Sequence, residues 1–590
     1  MASSTTSSAA MAHRVASSSS SSSARRVASH RGGGGGGGGV ARVVVSRCVR
    51  GVGYPNRGAS RAVCGGAARA GGDAARAGGG ACAARAVGVD RGRVEGRRAG
   101  TGRWVAGRRG RDVGVSSAGG DDVATLDSRK ELGALVAFCT PLLASNVISP
   151  LLTMTDTAFV GRCAGEASAT ALAALGVSTP LTDYSVTLFA FITAGLTSIV
   201  SRGVASGENA DVMNGKVYGA FFMAFLGSLA VATLLLTRTD YLLGLLNVSG
   251  DVKTIAAQYT QVRGLGMPAA FLTSAGYATL VARKDTLRPL LCVCLAAVVN
   301  FVGDWFMVSV MKTGAVGAAW ATTASLYTGL FAILVLLKRQ GLLEFPPKQN
   351  FNAGAGAVAW MRAAIPTKEQ LAPVMAFFGP ITFLVAALLT IYTTQILAAN
   401  ALGVTVSAAH RIAANLFSFT ILCGDPLIQA GQAFLPEHIF KPKKANARKM
   451  ASILFQFGLF TASISTTAFA FCCYFGAAVF TTDAAVVAQL HTVVLPMCAT
   501  VVVNILSKSL YGVMVACRAL NFLAGLTGVG LLGFAGSMAY LNAHVFGLAK
   551  YTYIWWITFG YYGIAVLVLY CRIKGIGFKG LLGDNDKIYE

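Results

Sequence analysis

The sequence predicts an all-α integral membrane protein with twelve transmembrane helices in two six-helix lobes, related by a pseudo-two-fold axis along the membrane normal. Three observations lead to this prediction: an apolar composition, a regular alternation of loop charge and an internal repeat. Of the 590 residues, 54% are hydrophobic and only 13% are charged, whereas a soluble protein carries about 25% charged residues. A membrane protein is therefore the expected class.

Twelve apolar stretches, each long enough to cross a bilayer, follow one another from Leu132 onward. They lie at 132–160, 171–202, 215–237, 254–282, 287–311, 314–337, 371–400, 404–434, 449–476, 485–516, 518–541 and 551–573. Several exceed the roughly 20 residues that a straight span requires, so tilted or bent helices are expected. Internal prolines, which predict kinks, are Pro141, Pro150, Pro268, Pro380 and Pro496.

The breaks between these stretches alternate in positive charge. Breaks after even-numbered spans carry Lys and Arg clusters, such as Arg283 with Lys284, whereas breaks after odd-numbered spans carry far fewer. This alternation favours twelve spans with both termini on the same, positive side.

The longest break, at 338–370, separates the twelve spans into two sets of six. The predicted units are a transit peptide and linker (1–120), an N-terminal lobe (131–337), an inter-lobe loop (338–370), a C-terminal lobe (371–575) and a tail (576–590).

A short sequence pattern recurs at one offset in the two halves. The stretch 277–284, YATLVARK, reappears as YGVMVACR at 511–518, and the alanine pair at 173–174 reappears at 408–409. The offsets, 234 and 235, indicate a duplicated half. Because each half has an even number of spans, both insert in the same direction, and the two bundles are expected to leave a central cleft.

The first 120 residues resemble an organelle transit peptide rather than a fold. This segment contains 20 Arg, no Lys and four acidic residues, with Ser, Ala and Gly runs. It has too little apolar surface to order itself and is predicted to be disordered. A disordered cytosolic tail is the alternative, and the composition separates plastid from mitochondrion poorly.

Several function classes are disfavoured by composition and spacing. The first 120 residues supply +16 of the net charge of +25, and no folded nucleic-acid reader accompanies them. The thirteen Cys form no CxxC, and the four His outside the leader are dispersed, which argues against a metal site or a membrane-embedded enzyme. No selectivity-filter or charged-ring pattern indicates a channel. No cofactor is expected.

Four acidic residues lie inside the spans and are candidates for chemistry: Asp156, Asp183, Asp304 and Asp425. An Asp at the centre of a span costs roughly 2.5–3.5 kcal/mol on insertion scales, so such residues usually have a function or a partner. Asn300 and Asp304 are four residues apart and share one helix face. An amide beside a carboxylate can hydrogen-bond either protonation state, and burial disfavours the charged form of the carboxylate. Three buried carboxylates in one half would thus form a plausible proton or sodium site, and local helix capping is the alternative for each Asp.

A second group of candidates could line the cleft. It contains the remaining two carboxylates, one histidine and several aromatic residues suited to flat organic solutes: Asp183, Tyr184, Phe189, Phe191, Tyr277, Tyr392, His410, Phe417 and Asp425. Ordinary packing in the core or against lipid is the alternative for each aromatic side chain. A structural role is the alternative for His410. The charged loop RKDTLRP at 283–289 is either a topology signal capped by Asp285 or part of a gate.

Four motifs resemble the multidrug and toxic compound extrusion (MATE) transporters, and most closely their DinF-like plastid branch. They are DTAFVGR…ALAALGVSTP at 156–180, GYATLVARKDTLRPLL at 276–291, NFVGDWF at 300–306 and AAHRIAANLFSF at 408–419. The resemblance covers essentially all of 131–575. It implies the twelve-helix, two-lobe fold and antiport of organic solutes against H⁺ or Na⁺, with an ion site at Asp156, Asn300 and Asp304.

Span 7 departs from the MATE branches that also couple through the C-terminal lobe, because it contains no acidic residue. A C-terminal ion site is therefore absent or reduced to Asp425. The expected protein is a monomeric antiporter of xenobiotics or phenolic and other organic-ion metabolites, in the chloroplast envelope rather than a mitochondrial membrane. A flippase for a lipid-linked substrate is the alternative, although it would need a more basic cavity than Arg263 and Lys508 provide.

Overall fold

The computed structural model describes residues 126–163, 168–344, 364–440, 444–476, 481, 483–545 and 549–576, and every regular element within these ranges is a helix. The predicted transit peptide, the middle of the inter-lobe loop and the tail beyond residue 576 lie outside them. The N-terminal half contains α1 (Ser128–Cys163), α2 (Ser168–Thr187), α3 (Ala190–Ser206), α4 (Ala210–Thr237), α5 (Thr239–Leu245), α6 (Gly250–Leu265), α7 (Met267–Ala282), α8 (Leu287–Asp304), a π-helical turn (Trp305–Val310) and α9 (Gly314–Arg339).

The described part of the C-terminal half contains seven helices: α10 (Lys368–Met375), α11 (Phe378–Asn400), α12 (Val404–Ile439), α13 (Lys444–Phe475), α14 (Ala484–Ala516), α15 (Leu520–His544) and α16 (Ala549–Lys574). Eleven helical segments of the described chain are long and apolar enough to cross a membrane, and the bent pair α6–α7 makes a twelfth. The predicted all-helical membrane fold is confirmed, and each predicted span corresponds to one of these segments.

The fourth span is broken where the sequence changes from RGLG to MP. Helices α6 and α7 meet at an angle of 46°. Gly266 lies between them, and Pro268 occupies the first turn of α7. Proline in a first helical turn gives up no backbone hydrogen bond, so the bend costs little there. Helix α1, by contrast, continues through Pro141 and Pro150 over 36 residues.

The sequence repeat corresponds to a shared backbone turn. Lys284 and Arg518, which lie 234 residues apart, both adopt a left-handed conformation with φ of 63° and 56°. The amide of Lys284 bonds to the carbonyl of Val281, and the amide of Arg518 bonds in the same way to Val515. Such left-handed residues commonly close helix C-termini. The turn after span 4 therefore has the same geometry as the turn after span 10.

The two halves contact each other at one face, which we call the basic face because the breaks after even-numbered spans lie there. Lys284 forms an ion pair with Glu437 at 2.9 Å. The guanidinium of Arg202 donates to the carbonyl of Ala516 at 3.2 Å. All these residues lie at or near the ends of even-numbered spans. The halves are thus closed against each other at the basic face.

Candidate functional site

Two buried carboxyl groups meet between α1 and the end of α8. Asp156 is 6% exposed and Asp304 is fully buried. The two side chains lie close enough to interact directly. Asp304 is the last residue of α8 and immediately precedes the π-helical turn at Trp305–Val310. Such π-turns inside helices often accompany functional sites, and here the turn follows the carboxylate directly.

Thr322 of α9 connects the predicted site residues. Its hydroxyl lies 3.1 Å from a carboxylate oxygen of Asp156 and 2.9 Å from the carbonyl of Ala318. The side-chain amide of Asn300 donates to the same hydroxyl at 3.4 Å. Asp156, Asn300 and Asp304 therefore come together with Thr322, and the four side chains form what we call the carboxyl site.

The carboxyl site has more acceptors than donors. Both carboxylate oxygens of Asp304, one of Asp156 and the amide oxygen of Asn300 find no donor in the described part of the chain. The ion pairs found within the described ranges bring no Lys or Arg to either carboxylate. Two adjacent buried anions repel each other and lose their hydration. A proton shared between them, or one monovalent cation among these oxygens, would remove that penalty.

Asp183 has a basic partner. It lies 3.6 Å from Arg263 of α6, and 55% of its side chain is exposed although it lies midway along the second span. A carboxylate at that depth would be costly against lipid. A water-filled cleft between the lobes, as the sequence predicts, would keep this exposed side hydrated. Two nitrogens of Arg263 are buried and have no acceptor in the described chain.

Asp425 also has a basic partner. It forms a hydrogen-bonded ion pair with Lys508 of α14, and 37% of the Asp425 side chain is exposed. Asp183 and Asp425 are thus each neutralised by a cation from the same lobe, in contrast to Asp156 and Asp304. The sequence identified all four carboxylates, and the structure divides them into two kinds.

The other cleft candidates are mostly packed. Phe191 is buried against Phe378 across the halves, at 5.0 Å between ring centroids. His410 and Phe417 are each 3% exposed and pack on Trp555. In this conformation these three candidates face the packed interior and not an open surface, because neighbouring rings cover them.

The remaining four aromatic candidates differ in exposure. Tyr184 is half exposed, whereas Phe189 and Tyr277 pack against the main hydrophobic core. The hydroxyl of Tyr392 lies 3.4 Å from that of Tyr562. Of the four, Tyr184 therefore has the most exposed surface.

Sequence reasoning missed Thr322 and the partners of Asp183 and Asp425. Thr322 lies in the run WATTASLYT of span 6, where several hydroxyl residues are equivalent by sequence alone. Arg263 and Lys508 are among the few basic residues inside the predicted spans. Their pairing joins residues 80 and 83 positions apart, which sequence spacing does not reveal.

Comparisons with known proteins agree with this architecture. Residues 141–306 match the MatE family model. The chain is 25% identical to "Protein DETOXIFICATION 47, chloroplastic" of Arabidopsis thaliana over 67% of this chain and 70% of that protein. It is also 25% identical to "Protein DETOXIFICATION 44, chloroplastic" of the same plant, over 55% of this chain and 61% of that protein.

A solved multidrug resistance MATE family transporter of the MOP superfamily, in an outward-facing conformation, has the same fold. The TM-score is 0.64 at 17% identity, and the match covers 77% of this chain and 99% of that structure. These relatives and this structural neighbour are transporters and not enzymes. The chain is thus a multi-pass membrane protein whose sequence is similar to the chloroplastic DETOXIFICATION proteins of plants and whose fold is similar to that of MATE transporters.

Proposed function

We propose that this chain is a secondary active antiporter that exports small organic compounds in exchange for protons through the carboxyl site. The observation that carries the proposal is the pair Asp156 and Asp304, two buried carboxyl groups without a basic partner in the described chain. Two such groups hold one proton readily and lose it at a high electrostatic cost. Sodium is the alternative ion, because every group around the site offers oxygen.

The proposed coupling acts through α1. When the shared proton leaves, repulsion between Asp156 and Asp304 pushes α1 away from α8. Pro150 lies six residues before Asp156 and lacks the amide that would bond to Asn146. A helix weakened at this point bends at a lower cost than an intact one. Reprotonation brings the two carboxyl groups together again and moves α1 along the cleft, which releases the solute.

The test uses the full chain in proteoliposomes with a trapped pH dye, challenged with a panel of organic cations, anions and neutral compounds. Solute-driven proton movement is expected for the wild type and should disappear in Asp156→Asn. Asp240→Asn serves as the matched control, because the Asp240 side chain is 80% exposed. Proton movement that persists in Asp156→Asn would overturn the proposal. Transport driven by a sodium gradient alone would replace the proton with sodium.

We also propose that the transporter works as a monomer in the chloroplast envelope. The chloroplastic relatives and the transit-like composition of residues 1–120 support this location. A C-terminal fluorescent fusion followed through separated envelope, thylakoid and mitochondrial fractions tests it. Signal concentrated in thylakoids or mitochondria would contradict the assignment, and a dimer mass in detergent would contradict the monomer.

A further inference from the structure

Lys508 is a basic residue inside an apolar helix. It lies eight residues before the end of α14, a helix that is long and apolar enough to cross a membrane. Only 13% of its side chain is exposed. An ammonium group at this depth is unfavourable unless it is paired. The Lys508 ammonium therefore needs a partner, and the carboxyl site, which lies in the N-terminal lobe, does not provide one.

Two oxygens of α12 bind the Lys508 ammonium. One belongs to the carboxylate of Asp425, and the other is the backbone carbonyl of Ile421 at 2.8 Å. A carboxylate and a carbonyl oxygen are also the ligands that hard cations prefer. By charge and by ligand type, the ammonium occupies the place of a bound monovalent cation.

Close packing of α12 on α14 holds Lys508 in this position. A Cβ atom at Gly424 would lie 2.6 Å from Cδ of Lys508, so the lysine stem passes directly over the glycine. Further along the same two helices, a Cβ at Gly431 would lie 2.7 Å from the backbone carbonyl carbon of Gly512. Glycines at such contacts let two membrane helices approach backbone to backbone. The register that results places the ammonium beside Asp425.

The N-terminal lobe has a carboxylate–cation pair between its corresponding spans, Asp183 of α2 with Arg263 of α6, but at other positions. At the repeat offsets of 235 and 234, Asp425 corresponds to Ala190 and Lys508 to Ser274. The carboxyl site of that lobe, Asp156 with Asp304, has no ammonium among the described ion pairs. Asp425 differs further in being partly exposed, and it also acts electrostatically on the Tyr392 hydroxyl.

We propose that Lys508 is a built-in counter-cation, which fills a cation site in the C-terminal lobe and thereby confines ion coupling to the N-terminal lobe. Removing the ammonium would leave Asp425 and the Ile421 carbonyl open to an external monovalent cation, either a proton or Na⁺. The inference rests on the proposed antiport function, because it decides how many external cations the transporter carries.

The test counts the cations bound by the purified full chain. Radioactive sodium binding is measured at equilibrium, and proton uptake is measured when an unbuffered sample is acidified from alkaline to mildly acidic pH. Lys508→Met should bind one more cation, Na⁺ or H⁺, than the double variant Lys508→Met with Asp425→Asn. The wild type and Lys508→Arg should show no cation whose binding depends on Asp425.

Two results would overturn the proposal. One is a Lys508→Met protein that binds no more cation than the double variant, and the other is an Asp425-dependent cation in the wild type. If Lys508→Met folds poorly, the proposal expects recovery by high Na⁺ or by acid as well as by Asp425→Asn. Recovery by Asp425→Asn alone would contradict it. Because these measurements involve no transport, failure of coupling at Asp156 is detected separately in the proteoliposome assay.

Discussion

The contact between Lys284 and Glu437 is expected to hold the basic face closed, and Lys284→Met tests this directly. The ion pair is partly exposed, at 29% and 38% of the two side chains, so it contributes about 0.5–1 kcal/mol. Lys284 also lies 4.0 Å from the ring centroid of Phe434, a contact that adds about 0.5–1 kcal/mol. Losing both should raise the population open at the basic face by roughly 5- to 30-fold.

Cys139 reports this opening. Its thiol lies 3.8 Å from the carbonyl of Pro426 across the two halves and is 8% exposed. In a variant that keeps Cys139 as its sole cysteine, a water-soluble maleimide added at the basic face should label it faster after Lys284→Met. The rate should follow the population of the open form, provided that closure is fast compared with labelling.

The control is Lys253→Met, which removes an ion pair at 4.0 Å that lies within the N-terminal half. It should leave the labelling rate of Cys139 unchanged. Exchanging the charges, with Lys284→Glu and Glu437→Lys together, should bring the labelling rate of Cys139 back close to that of the protein with the original pair. An unchanged rate in Lys284→Met, or an equal increase in the control, would refute the assignment of the pair as a closing contact.

Two further predictions concern residues near the end of α14. Gly512→Val should destabilise the protein by about 1–3 kcal/mol through overpacking, because a Cβ there would lie 2.7 Å from the carbonyl oxygen of Ile428. A thermal-denaturation scan checks it, with the uncrowded Gly525→Val as control, and equal melting temperatures would contradict it. Burial raises the pKa of the Cys517 thiol to about 12. The folded state therefore keeps this thiol protonated, and it loses stability as the pH rises above the ordinary pKa of a thiol. Alkylation of Cys517 should therefore keep increasing with pH beyond about 8.5, and a plateau there would contradict the prediction.

The membrane fold could be predicted from the sequence because its determinants are local. Span length, loop charge and the repeat each depend on short stretches, and the shared left-handed turn at Lys284 and Arg518 follows the repeated letters. The contact of Asp156 with Asp304 was suggested by motif resemblance and not by spacing, since 148 residues separate them. The role of Thr322 could not be predicted, because hydroxyl residues are common in membrane helices and their roles depend on which helix they face.

In the proposed antiport mechanism, the two kinds of intramembrane carboxylate determine which of the two similar lobes couples to an ion. Asp183 and Asp425 are paired with Arg263 and Lys508, so their charge is balanced within the protein in this structure. Asp156 and Asp304 have no such partner in the described chain, and their charge is balanced only when an external cation is present. An external ion gradient can therefore do work on the second kind alone. In this proposal the N-terminal lobe holds, besides the pair of Asp183 with Arg263, two carboxylates whose counter-cation must come from solution, whereas the intramembrane carboxylate of the C-terminal lobe is paired with Lys508.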